Sequence, residues 1–249
     1  MPTIQSVTIG PQNESTTVTC SVPVNAGDNL AIVAAIHIEA AGDDCTAMSR
    51  DGQSLTEHGT IFTNAWSRAE LWKLVSPNVG TATLTATIGG AGGKRGRLVV
   101  WVLEDVDQDT PLRASDFNWG DAGVSSSINA PGVQATDLVI DAITLDAQGH
   151  SPVVGALQFA QYNGNSGSNG AFEMGGSEQD GADGAAMSWS WTTSTGFSHI
   201  AVAVVAAPPN TQKIRPDADI VTTGWSTAPL WSKIEEETAD GTVITGVAS

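Results

Sequence analysis

The residues with most chemistry to offer are four histidines, His37, His58, His150 and His199, and the acidic run Glu104-Asp105-Val106-Asp107-Gln108-Asp109. Imidazoles gather a metal when they recur at short spacing, as in HxH or HExxH, and thiols do so as CxxC. None of these spacings occurs, and no GxSxG elbow presents a nucleophilic serine. A Ser, His and Asp triad assembled from distant positions has no sequence signal behind it. His37 closes an apolar stretch and His199 opens one, which reads as two strand-edge histidines. Alternate carboxylates in the acidic run suggest a calcium loop, but an EF-hand needs glycine at position six, where Thr110 stands, and glutamate at twelve, where Asp116 stands. The run therefore reads as an acidic turn, and Glu178, Asp180 and Asp183 read the same way. No catalytic residue, cofactor site or metal site is expected, and the chain is not read as an enzyme.

Aromatic side chains offer a different chemistry, since Trp and Tyr faces stack on sugar rings while nearby amides and acids bond the hydroxyls. Trp119 and Tyr162 sit beside Gly, Asp or Asn and are the glycan-contact candidates. Trp189 and Trp191, two apart, share one face of a strand and read as core or inter-subunit packing. Ten basic against twenty-seven acidic residues give a formal charge of -17, which repels nucleic acid and anionic membranes. Cys20 and Cys45 are read as free buried thiols, with one bridge between them as the alternative. The opening MPTIQSVTIG has neither the basic nor the apolar part of a secretory signal, and no stretch is apolar enough to insert in a membrane.

The elements that must position these groups are strands. Residues 15–22, 81–88, 97–103, 138–145 and 199–206 are rich in Val, Ile, Thr and Trp and bounded by turn formers. Residues 81–88 alternate polar with apolar, as in a half-buried strand, whereas 30–36 are continuously apolar, as in a sandwich interior. The glycine-rich stretch 163–184 reads as a projecting loop, and 40–59 as a second excursion. AGDNLAIVAAI from Ala26 is echoed by ATDLVIDAI from Ala135, and TATLTATI with GRLVVWVLED by MSWSWTT with SHIAVAVVAA. Duplication would produce that echo, but so would two sheets meeting one burial demand, and the few identities favour the second.

The expected fold is all-β, an antiparallel, jelly-roll-like β-sandwich over 1–207, a linker at 208–213, and an extended C-terminal arm at 214–249. The arm carries Trp225 and Trp231 but too few other apolar residues for a core, and about 40 residues rarely fold alone. Docking on another protein is favoured over folding back. Trp225 and Trp231 would supply apolar area, and Arg215, Asp217 and Asp219 would fix orientation.

GDNLAIVAAI, DGQSLTEHG, AELWKLVSPNVGTATLTATI and LVVWVLEDVDQDTPL resemble a β-sandwich domain of phage structural proteins and some bacterial surface proteins. The resemblance rests on Asp51-Gly52, Leu55-Thr56, Leu71-Trp72, Pro77, Gly80-Thr81, Asp107-Gln108 and Thr110-Pro111-Leu112. RPDADIVTTGW with LWSKIEEETADGTVITG is similar to the opening of a module in tailed-phage virion proteins, with Glu235-Glu236 where that pattern has Asp-Glu. The resemblance implies a virion structural protein, folded in the host cytoplasm: a capsid decoration (cement) or head-spike component. Its expected partners are the major capsid protein or other virion proteins and further copies of itself. The alternative is a tail-fibre, receptor-binding or carbohydrate-binding subunit that holds host glycan.

Overall fold

The computed structural model describes residues 1–39, 44–58, 67–90, 95–165 and 172–208, together with the backbone of 235–237 and 243–245. It is all-β with antiparallel sheets, as the sequence implies. Its strands, in chain order, are β1 (Thr3–Ile9), β2 (Asn13–Glu14), β3 (Thr17–Val24), β4 (Ala31–Glu39), β5 (Cys45–Arg50), β6 (Gln53–Ser54), β7 (Thr56–Glu57), β8 (Arg68–Val75), β9 (Gly80–Ile88), β10 (Arg95–Glu104), β11 (Asp116–Asn129), β12 (Leu138–Leu145), β13 (Val153–Val154), β14 (Phe159–Asn165), β15 (Glu173–Asp180) and β16 (Ala186–Val204). These belong to a unit spanning Met1–Asn210. In a second unit, Thr211–Ser249, β17 (Glu235–Glu237) pairs antiparallel with β18 (Val243–Thr245). Arg215, Asp217, Asp219, Trp225 and Trp231 lie outside the described residues. Among the described residues no helix is long and apolar enough to cross a membrane.

The first half builds two sheets, β1-β10-β4-β8-β7 and β3-β9-β5-β6. Val18, Val22, Met48, Leu84 and Ala86 of the second pack on Ile32, Ile36, Leu98 and Val100 of the first, forming a sandwich core. Arg50 is buried between strands, and its guanidinium donates to the carbonyls of Asn78, Val22 and Gly80, which satisfies a charge that would otherwise be costly there. The opposite face of the first sheet carries Ala31, Val33, Ala35, Val99, Trp101 and Leu103, and it is buried as well. Period two puts alternate residues of one strand on both faces, so β4 and β10 must be apolar throughout.

The second half repeats this order: β11-β16-β12-β15-β14 corresponds strand for strand to β1-β10-β4-β8-β7. Where the first half breaks its chain between β1 and β3 and between β9 and β10, β11 and β16 run on as long strands. The pairing of β11 with β16 shifts register between Gly120 and Ser125, and β13 pairs with the first part of β16. Ile128, Met187, Trp189 and Trp191 from the early part of β16 and the late part of β11 thereby cover Val139, Ile143, Leu145 and Ala201. The echo between the halves thus extends to topology, well beyond what its few identities suggested.

The two sandwiches meet face to face. Leu138, Ile140, Ala142, Ile200 and Val202 of the second pack on Val33, Ala35, Val99 and Trp101 of the first. By strand register, β4 residue 31 corresponds to β12 residue 138, so His37 corresponds to Thr144. These two equivalent positions touch, His37 Nδ1 lying 2.7 Å from Thr144 Oγ1. Contact between equivalent positions is what a local two-fold relation produces.

Residues 105–113 join the halves and lie along the end of β16. Asp107 N–H donates to the Val205 carbonyl, Val205 N–H to Pro111 and Arg113 N–H to Ala203. The Asp107 carboxylate accepts from the N–H groups of Asp109 and Thr110, so this acid closes a turn. Gln108 donates to the carbonyls of Leu30 and Val106. Asp51 and Gly52, at φ 51° and 77°, turn β5 into β6.

Several expectations need correcting. Residues 173–180, read as part of a projecting loop, form β15, an interior strand between β12 and β14. The glycines misled because they serve as clearance: a Cβ on Gly175 would meet the Trp189 ring, and one on Gly176 the Tyr162 ring. The excursion 40–59 likewise supplies β5, β6 and β7. His37 and His199 are not at strand edges but inside β4 and β16, both buried. Cys20 and Cys45 are free and buried. They pair with Leu84 and Ile88 on opposite sides of β9, roughly 16 Å apart and beyond disulfide reach.

Gly176→Ala is expected to lower stability by about 1–3 kcal/mol, the usual cost of overpacking against a fixed ring. Paired with Tyr162→Ala, which opens that space, it should cost less than the two single changes added. Urea midpoints of the four proteins check this, and strict additivity would contradict the contact.

Candidate functional site

Two buried polar chains stand out. The first is centred on Asp141, which interrupts the apolar run of β12 and is fully buried. Its Oδ1 accepts from Ser177 N–H at 2.7 Å and Ser177 Oγ at 2.8 Å. Its Oδ2 accepts from Trp189 Nε1 at 2.7 Å and His199 Nε2 at 3.0 Å. The far side of the imidazole, Nδ1, lies 2.9 Å from Ser126 Oγ, which also accepts from Asn118 Nδ2 at 3.1 Å. In the tautomer whose Nε2–H serves the carboxylate, Nδ1 accepts the Ser126 O–H.

Ser126, His199 and Asp141 therefore share the proton layout of a nucleophile, base and orienting acid. All three lie in the interior. Ser126 is 3% exposed and His199 2%. The neighbouring void, lined by Phe117, Asn118, Trp119 and His199, measures ≈ 10 Å³, room for about one water. What the chain does here is tie strands together: Asn118 and Ser126 from β11 reach Asp141 of β12 through His199 of β16, and Trp189 of β16 and Ser177 of β15 bond the same carboxylate directly.

The second chain lies between the sandwiches. Tyr162 is buried on β14, and its hydroxyl donates to His37 Nε2 at 2.8 Å. His37 Nδ1–H donates to Thr144 Oγ1, which donates to the Arg68 carbonyl at 3.4 Å. Burial, with a smaller push from the Arg97 charge, lowers the His37 pKa from 6.5 to about 3. Burial also pushes the Tyr162 hydroxyl up, and raises the Cys20 and Cys45 thiols to about 11 and about 12. Thiols so protonated are poor nucleophiles.

Of the glycan candidates, Trp119 is 41% exposed on β11, whereas Tyr162 is 5% exposed and its ring is packed near Trp101 and His37. They lie on opposite edge strands of one sheet, four strand spacings or roughly 19 Å apart, so they do not form one platform. Among the described residues no three His, Cys, Asp or Glu side chains converge as metal ligands. The polar chains were missed by sequence reasoning, although a signal existed. Asp141 within LVIDAI and His199 within an apolar strand are costly when buried singly, which marks them as partners.

No family model, curated protein or solved structure matches the chain.

The neutral, buried His37 sets a pH dependence. Below pH 6.5 the unfolded chain takes up a proton at His37 that the native state refuses until about pH 3. The associated stability is present above 6.5 and is lost as pH falls from 6.5 toward 3, at up to ~1.4 kcal/mol per pH unit. His37→Gln is expected to be less stable at neutral pH but to lose stability more slowly on acidification. Urea midpoints between these limits test it; parallel slopes for both proteins would contradict a buried neutral His37.

Proposed function

We propose that this chain is a non-enzymatic structural protein of a tailed-phage virion, a capsid decoration or head-spike component. In this reading the tandem sandwich faces outward and the segment 214–249 fastens it to the major capsid protein or a neighbouring virion protein. The observation that carries the reading is the role of the residues behind the phage resemblance. Asp51-Gly52 makes a hairpin turn, Leu71 and Trp72 are core residues, and Asp107-Gln108 with Pro111 clasps one sandwich to the next. These residues specify a rigid module and its joint, which suits a part whose work is assembly. The Ser126–His199–Asp141 chain fits this reading as a structural tie. Of the two glycan-contact candidates, only Trp119 is exposed enough to hold a host glycan.

Deleting 214–249 from an otherwise folded chain is expected to abolish stoichiometric binding to expanded capsids while the melting transition of the remainder persists. Cosedimentation with purified capsids measures this. Unchanged occupancy of the truncated protein would exclude the attachment role, and glycan-array signal lost in Trp119→Ala would favour receptor binding instead.

A further inference from the structure

We draw no further inference here: the strongest candidate, the outer edge of β14 with the exposed side chains of Leu157 and Phe159, carries nothing because nothing in the structure shows what covers it.

Discussion

The sheet containing β10, β4 and β8 has cores on both faces, and the rest of the molecule depends on that constraint. One face belongs to its own sandwich and the other to the sandwich of the second half. A strand in that position cannot alternate polar with apolar, which is why β4 and β10 read AIVAAIHI and LVVWVL. Trp101, fully buried, fills space against the second half and near Tyr162, so each half removes apolar surface that the other would leave in water. The clasp at residues 105–113 fixes the same relation through backbone hydrogen bonds.

Two polar chains in this interior are hydrogen-bonded throughout, whereas Trp101 Nε1 has no hydrogen-bond partner among the described residues. Asp141 gathers four donors from three residues, and His37 is held neutral between Tyr162 and Thr144. A buried carboxylate with full partners does not strengthen a fold relative to apolar packing, but it penalises every register in which those partners are absent. Strands rich in small and β-branched residues slip easily, and a slip of one residue would turn Asp141 away from His199 and Trp189. Ser126, His199 and Asp141 satisfy one another by the same donor and acceptor pairing that a catalytic arrangement uses.

How much of this was legible depends on the kind of signal. The continuous apolar strands and the alternating strand 80–88 could be read directly, because burial on two faces or one leaves a distinct period. β15 could not, because EMGGSEQD carries the signature of a loop; its glycines are explained only by rings of Trp189 and Tyr162 that are distant in sequence. The strand edges of His37 and His199 were misplaced because β4 and β16 run past the apolar stretches that were visible. The repeated strand order left little trace in identities, since it is carried by burial pattern rather than by particular side chains. Tyr162 looked like a loop aromatic beside Asn163, and only the pairing of β14 with β15 shows which way its ring faces.

Hydrogen exchange under native conditions tests the central claim most directly: that the two sandwiches form one cooperative unit through their shared core. Amides of β4 and β10 in the first half and of β12 and β16 in the second are expected to exchange only by global opening, with the same free energy and denaturant dependence. Exchange of the second half's strands at a distinctly lower free energy, while the first half stays protected, would contradict the account.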